Sequence, residues 1–351
     1  MKNSFLFDVA TRQRLLSERV GLYFYEFSNS QFNELAKVIN WELSSIRYEN
    51  LDELSKTELN KVILALRKKQ LLHFTKYNET ILSMLLNYTD VHKNLSKIVH
   101  ASVFKFSIDN DYNPQGINEE DAQTIFTDNE KDNSIYPLPL IIDNSKQITD
   151  KLFSLLKANI IGASGLTLLQ MLNNLKNSSI MSVENAIRQA WANKQKLSDL
   201  LKTISGGKSE LTGNDVVTKN ANGSNGILST ILSYITESIS SGVQSVLYNK
   251  YVWVAILDGR TSQICLNLNG KIFVFGKGPI PPAHFRCRSH IVAIGNDTDE
   301  NLTDETFTEW VKRQPNSVKE NLGGTSNGQY VPNKPLDIDD YGKSANIILS
   351  Q

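Results

Sequence analysis

The chain has 351 residues, and its 37 basic and 37 acidic side chains give a formal net charge of zero at pH 7. This balance excludes a chain-wide electrostatic attraction to nucleic acid, although local basic patches remain possible. The length exceeds that of one hydrophobic core, so we expect two or more packing units.

Cysteine content and hydropathy indicate the compartment. Two cysteines in a chain of this length argue against a disulfide scaffold and are typical of a reducing environment. The apolar runs are shorter than the ~20 residues that cross a bilayer, and the charged amino-terminal stretch does not fit a secretory signal. We therefore expect a soluble cytoplasmic product with no membrane partner.

Residues 1–106 have the periodicity of helices. Apolar residues recur at three- and four-residue spacing, and lysines occupy the opposite faces. The pattern predicts two or three packed helices. The apolar stripes pass through Phe32, Leu35, Val38 and Ile39, and then through Leu59, Val62, Ile63 and Leu66.

Residues 107–147 lose this periodicity. The segment is acidic, rich in asparagine and interrupted by prolines. An irregular connection of this length is unusual inside a compact domain. We expect either an interdomain linker or an arm that docks on a partner.

Residues 148–249 are again helical in pattern. We expect a break at residues 178–182, with a new helix starting at Ser182, and a flexible loop at residues 204–226, where glycine, serine and asparagine accumulate. The clearest amphipathic helix follows this loop. Its apolar stripe contains Ile227, Ile231, Ile235, Ile239 and Val243.

Residues 250–296 have a different pattern, typical of strands and tight turns. The apolar run 252–257 predicts a strand, and Asn269-Gly270 predicts a type I′ hairpin turn leading to a second strand at 271–275. Prolines within 279–282 fix an extended segment. A last apolar strand is expected at 291–294. The doubled-back chain would bring both cysteines and a histidine together.

This segment also carries the string LDGRTSQICLNLNGKIF, followed by PPAHFRCRS. It resembles the signature of phage head morphogenesis proteins, the Mu F-like minor head proteins of tailed bacteriophages. Many members have cysteines where this chain has Ser262 and Ser289, which excludes a four-cysteine metal site. The matching positions are Trp253, Leu257, Asp258, Arg260, Thr261, Cys265, Leu268, Gly270, Pro281, Pro282, His284, Cys287 and Arg288.

The resemblance implies a structural protein of the virion, located at the portal vertex or in the capsid interior after assembly in the host cytoplasm. Implied partners are the portal protein and the major capsid or scaffolding protein, with packaged DNA as a further candidate and several copies per particle. The implied roles are head assembly, DNA packaging or genome delivery. The alternative is an injected effector or enzyme carried in the virion, because family domains also occur joined to toxin modules.

Cys265, His284 and Cys287, with His290 as a fourth candidate, are ligand types suited to zinc. The alternative is that the cysteines are small buried residues that hold the strands against the proline turn, and a disulfide fits a reducing cell less well. A nucleophilic cysteine with His284 as base would need an orienting third group and a cleft, which the sequence does not show. We therefore expect no catalytic residue and no cofactor, with zinc as the open alternative.

Charged residues near this set have simpler interpretations. Asp258 is expected to cap a turn or pair with Arg260. Arg286 and Arg288 are expected on a solvated face, with an acidic partner or a phosphate as the alternative. The GGKS string at 206–209 lacks the first glycine of a phosphate-binding loop.

Residues 297–351 are expected to form a carboxyl-terminal extension. A short helix around Phe307 to Val311 is interrupted at Pro315, and the polar residues beyond it predict an extended tail that orders on contact with another subunit. The predicted fold class is α+β. Its amino-terminal and central regions are mainly helical, and a small carboxyl-terminal Cys/His domain contains a β-hairpin.

Overall fold

The fold is α+β and mainly helical, as the sequence predicts. Helices dominate the amino-terminal and central regions, and short antiparallel strands are concentrated toward the carboxyl end. The computed structural model describes residues 2–109, 146–206, 214–294, 305–322, 324–326, 329–332 and 334–350.

Two long helices confirm the predicted helical start: α1 (Lys2–Leu43) and α2 (Lys56–Asp109). A 3₁₀ turn at Leu51–Glu53 lies between them. At the start of α2, Glu58 N–H donates to Ser55 Oγ, and Ser55 N–H donates to the Glu58 carboxylate, which forms a capping box. The predicted apolar stripes are buried at Phe32, Leu35, Ile39, Leu59, Ile63 and Leu66.

The central region contains four helices among the described residues, with a two-stranded ribbon between the first two. The predicted linker or arm at 107–147 lies outside the described residues, apart from the end of α2 and the start of α3. The elements are α3 (Lys146–Ala158), β1 (Ile160–Ile161), β2 (Leu166–Thr167), α4 (Leu168–Ala192), α5 (Leu197–Ser205) and α6 (Val216–Leu247).

The predicted helix break at residues 178–182 is wrong, because α4 continues through it. Ser178 Oγ donates to the carbonyl of Asn174 at 2.8 Å, and Ser182 Oγ donates to the carbonyl of Ser179 at 2.9 Å. Serine side chains bonded in this way are accommodated inside a helix. The helical structure is interrupted instead by the β1–β2 ribbon, which lies between α3 and α4.

The predicted loop at 204–226 is also longer than the real connection. Gly206 ends α5 in the left-handed conformation, with φ of 70°, and Asp215 begins α6 by accepting a 2.8 Å hydrogen bond from Thr218 N–H. The second half of the expected loop is therefore helical. Tertiary packing overrides the low helix propensity of its asparagines and glycines, since Ser224 is fully buried.

A three-stranded antiparallel sheet confirms that the chain doubles back. Its strands are β3 (Lys250–Val254), β4 (Ile272–Val274) and β5 (His290–Ile294), in the order β4-β3-β5. A short helix, α7 (Gln263–Leu268), lies between β3 and β4. We refer to residues 250–294 as the Cys/His unit.

The turn that enters β4 differs from the predicted type I′ hairpin. Asn269 has φ of −54° and ψ of 133°, and only Gly270 has a positive φ, of 75°. Lys271 N–H donates to the carbonyl of Leu268 at 3.0 Å. These values define a type II turn, in which glycine is required at the third position only. The turn follows a helix, because α7 occupies the connection between the two strands.

The carboxyl-terminal region confirms the predicted helix at Phe307, whose start is a capping box formed by Thr306 and Glu309. The predicted extended tail is wrong for the described part, because Tyr341 and Ile348 are buried. The elements are α8 (Phe307–Arg313), α9 (Asn316–Leu322), β6 (Gly324–Ser326), β7 (Gln329–Val331), α10 (Ile338–Gly342) and α11 (Ala345–Ile348).

This region is fastened to the first helix of the chain. Arg12 is buried, and its Nε and Nη2 donate to Oε1 of Gln314 at 2.9 and 2.7 Å. Its Nη1 donates to the carbonyl of Ile348 at 3.0 Å. These bonds satisfy a charged group that is costly to bury alone.

The chain divides into two compact units. Helices α1, α2 and α6 each contribute to both, so neither unit is continuous in sequence. Within the described residues, no helix combines the length and the apolar character that crossing a bilayer requires. The first unit consists of Met1–Tyr23, Leu85–Leu168 and Ser229–Gln351, and the second of Phe24–Met84 and Leu169–Leu228.

Candidate metal centre

The turn after β3 is built by its own polar residues. Arg260 N–H donates to Oδ1 of Asp258 at 2.9 Å, which confirms the predicted turn-capping role of Asp258. Thr261 Oγ1 accepts from Asp258 N–H at 3.0 Å and donates to the carbonyl of Ile256 at 2.6 Å. This closed turn directs the chain into α7.

Helix α7 fixes the first cysteine. Ser262 is its N-cap, and Ser262 Oγ accepts from Cys265 N–H at 3.2 Å. Cys265 is thereby held in the first helical turn, with its side chain buried. Ser262 Oγ also lies 2.7 Å from Nε2 of His284. Sequence reasoning did not assign Ser262 to the site, although a serine three residues before a buried position is a common N-cap pattern.

The proline segment returns the chain to α7. Tyr251 donates its hydroxyl to the carbonyl of Pro279 at 2.7 Å, and Gly278 packs directly on Tyr251 and Phe273. The Pro281-Pro282 peptide bond is cis. These contacts deliver the following residues to the cysteine on α7.

As predicted, Cys265, His284 and Cys287 meet, and their ligand atoms all lie within 4.8 Å of one another. Cys265 Sγ is 3.1 Å from His284 Nε2 and 3.6 Å from Cys287 Sγ. The sulfur separation exceeds that of a disulfide bond, and both cysteines are free. The three side chains form a group that can hold a metal ion.

The orientation of His284 suits a ligand. Its Nδ1 lies 2.8 Å from the carbonyl oxygen of Phe285 and donates to it, so Nε2 presents its lone pair toward the thiols. Histidines that bind metals are commonly fixed by a hydrogen bond from the other ring nitrogen to a backbone carbonyl. The chain itself thus selects the tautomer that a metal ion requires.

Contacts within the group shift the pKa values of all three side chains. The hydrogen bond from Cys265 lowers the pKa of Cys287, and the same contact raises the pKa of Cys265. Hydrogen bonding to Cys287 raises the pKa of His284. These shifts favour a thiolate at Cys287 over one at Cys265, and the thiolate is the form in which cysteine binds metals.

The fourth predicted ligand, His290, lies outside this group. It is fully buried on β5, where its Nε2 is 3.0 Å from Thr11 Oγ1 and its ring centroid is 6.4 Å from that of Phe7. Burial lowers the pKa of His290 to about 3. The expectation fails because residues on a strand alternate between faces, and His290 belongs to the face that packs on α1.

A bidentate ion pair closes the unit. Arg288 donates from Nη1 to Oδ2 of Asp258 at 2.6 Å, and its Nη2 contacts Oδ1. Burial alone would raise the pKa of Asp258, but the hydrogen bonds and charge of Arg288 outweigh it and hold this pKa below its ordinary value. The prediction that Arg288 lies on a solvated face is therefore wrong. Arg286 is exposed, in agreement with the prediction.

Buried groups from two helices contact the back of the site. Arg14 of α1 donates to the carbonyl of Cys287 at 2.8 Å and to that of Arg288 at 3.3 Å. Glu237 of α6 lies 3.9 Å from Arg14 and accepts from Ile291 N–H at 3.2 Å. Burial raises the pKa of Glu237 to about 8. No local sequence signal identifies these residues, because they lie far from the site along the chain.

The buried cluster under the site consists of Trp253, Ala255, Cys265 and Cys287. Both sulfurs are shielded from solvent, so a substrate cannot reach them without a local opening. Thiolate and imidazole are ligands that zinc prefers, and the group supplies three of the four donors that a structural zinc site usually has. The arrangement can therefore hold a metal ion, and both cysteines are buried.

Comparisons of the chain with protein-family models, with curated proteins and with solved structures find no match.

Proposed function

We propose that this chain is a structural minor head protein of a tailed bacteriophage, bound to the portal vertex or the inner capsid. In this role it acts in head assembly, DNA packaging or genome delivery. Its partners are the portal protein and the major capsid or scaffolding protein, with packaged DNA as a further candidate, and it is present in several copies. It is made in the host cytoplasm and ends in the virion.

One observation carries this proposal. Ser262 and Ser289 are the positions at which the signature of the family has cysteines that this chain lacks, and both serines hydrogen-bond inside the candidate metal centre. Ser262 contacts His284, and Ser289 contacts Cys265. These serines lie within three residues of Cys265 and Cys287 along the chain, so the stronger support is that Cys265 and Cys287, 22 positions apart, come together with His284. This convergence supports treating the string as one structural unit.

We propose further that the group of Cys265, His284 and Cys287 holds zinc in a structural role. Two thiols and an oriented imidazole would supply three ligands, and Ser262 Oγ lies 2.7 Å from the Nε2 of His284. Bound zinc would fasten α7 to the segment before β5. Zinc sites of this kind stabilise small units whose own core is limited.

An injected effector or enzyme remains the second candidate, favoured by the 3.1 Å contact between Cys265 Sγ and His284 Nε2. Such a pair can activate a thiol. The burial of Cys265 weighs against it, and so does the contact at His284 Nδ1, which is to a backbone carbonyl rather than to the carboxylate that orients the base in a catalytic triad.

Quantitative mass spectrometry of purified particles tests the head-protein proposal. We expect the chain in mature virions at a fixed ratio to the portal protein, and co-purification with the portal protein when the two are co-expressed. Absence from both particles and portal complexes would contradict the proposal. A thiol-reactive probe separates the second candidate, because a catalytic cysteine would be labelled in the folded protein, whereas a buried metal ligand would not.

A further inference from the structure

The two edges of the sheet in the Cys/His unit differ in whether their outward backbone groups have hydrogen-bond partners. On β5, the outward N–H groups of Ile291 and Ala293 donate to Glu237 at 3.2 Å and to Gln244 at 2.7 Å. Both acceptors are buried side chains of α6. This edge is therefore closed by the protein itself.

The outer edge of β4 is open. Trp253 N–H donates to the carbonyl of Lys271, and Phe275 N–H donates to that of Asn249, so the odd-numbered residues of β4 face β3. The alternation of an antiparallel pair then directs the backbone groups of Ile272 and the N–H of Val274 away from the sheet. Within the described part of the chain, no strand lies beyond β4.

The side chains at this edge are apolar and exposed. Ile272 is 48% exposed and Val274 is 42% exposed, although both lie on the sheet face that α1 covers at His290. An exposed edge strand with apolar side chains is a template for pairing with another chain. Proteins that add a peptide strand in this way bind it through backbone hydrogen bonds and alternate side chains.

The charged residues around β4 indicate which kind of chain binds at this edge. Three exposed lysines lie around β4, namely Lys250, Lys271 and Lys277. Lys250 is on the neighbouring strand β3, where it pairs with Val274. None of the three forms an ion pair with another described residue. The only acidic residue of the Cys/His unit is Asp258, which is already bound by Arg288. A second copy would place lysines against lysines, which is unfavourable at a strand pair.

We propose that the outer edge of β4 binds an extended acidic peptide segment of another protein as a fourth strand of the sheet. The segment carries small or β-branched apolar residues beside Ile272 and Val274 and carboxylates beside the three lysines. Its backbone pairs with Ile272 and with the N–H of Val274. This interaction surface holds whether or not the chain is a head protein, because it depends on the edge alone.

Two terminally blocked, fluorescein-labelled peptides, EEVTVTEE and KKVTVTKK, test the proposal with the full chain by fluorescence anisotropy at 50 mM salt. We expect the acidic peptide to bind at least about tenfold more tightly than the basic one. Binding should slow amide hydrogen exchange at Ile272 and Val274. Equal affinity for both peptides, or unchanged exchange at these two amides, would overturn the proposal.

Variants separate backbone pairing from charge. Val274→Pro removes an N–H that faces away from β3, so the sheet should remain while acidic peptide binding falls about tenfold or more. The triple variant Lys250→Glu, Lys271→Glu and Lys277→Glu leaves the backbone intact and should reverse the preference to the basic peptide. Self-association of the wild-type chain that Val274→Pro abolishes would instead identify a second copy as the occupant, and preferential binding of a DNA oligonucleotide at the lysines would identify nucleic acid. Either result contradicts the proposal.

Discussion

Arg288 binds both carboxylate oxygens of Asp258, and so joins the turn after β3 to the segment that enters β5. The Asp258 carboxylate is buried, so removing its partner leaves a charge without compensation. We expect Arg288→Ala to lower the free energy of unfolding by about 2–4 kcal/mol in urea denaturation. The matched control is Arg260→Ala, whose side chain is 44% exposed and 3.7 Å from the same carboxylate. It should cost less than about 1 kcal/mol. Equal costs would contradict the assignment.

Metal binding is tested by adding a ligand rather than by removing one. Ser262 lies beside the group, so Ser262→Cys should supply a fourth donor and tighten zinc affinity by roughly 10- to 100-fold in competition with a chelator. Ser262→Ala is the control, because it loses the same helix cap without adding a thiol. Elemental analysis of the wild-type protein should find about one zinc per chain. Absence of zinc in both wild type and Ser262→Cys would leave Cys265 and Cys287 as packing residues.

Glu237 should make stability depend on pH. Burial raises its pKa from 4.5 to about 8, so the folded chain holds this proton more tightly than the unfolded chain does. The resulting stabilisation is fully present below pH 4.5 and is lost as the pH rises through about 8, at up to about 1.4 kcal/mol per pH unit. Glu237→Gln stays neutral and keeps an acceptor for Ile291 N–H, so its unfolding curve should lose this slope. Thermal unfolding between pH 5 and 9 measures the difference, with the exposed Glu320→Gln as control. Parallel curves for wild type and Glu237→Gln would contradict the prediction.

Replacement by alanine should have opposite effects on stability at Gly278 and at Gly223. A Cβ at Gly278 would overlap the Tyr251 hydroxyl and Phe273, so Gly278→Ala should destabilise the chain by about 1–3 kcal/mol. Gly223 lies inside α6, and a Cβ there would meet no atom within 4 Å outside the nearby helix backbone, so Gly223→Ala should stabilise the chain by about 0.5–1 kcal/mol. Urea titration of both variants provides the comparison. Destabilisation by Gly223→Ala would show that residue 223 is not helical.

The sequence predicted those parts of the site that depend on local turns. The sequence predicts that Cys265, His284 and Cys287 meet, because a glycine turn and a proline-rich segment restrict the backbone conformations between them. Helix α7 was missed because its six residues are too short to show helical periodicity. Its only local signal was the serine N-cap.

Distant partners could not be predicted in this way. Arg14 binds the carbonyl of Cys287, which lies 273 positions further along the chain, and no pattern within either segment encodes that pairing. The fold of residues 216–226 was mispredicted for a related reason. Their asparagines and glycines favour a loop locally, and only burial against the rest of the unit makes them helical.

The attachment of Arg12 to Gln314 and Ile348 sets an order of events during synthesis. Arg12 is synthesised before both of its acceptors, which follow it in the chain by 302 and 336 positions. Until these acceptors are made, Asp8 of the same helix, 4.0 Å away, is a charged partner for Arg12, and the hydrogen bonds to Gln314 and Ile348 cannot form. A chain that stops before Gln314 would lack both acceptors, so these contacts could not join α1 to the carboxyl-terminal region.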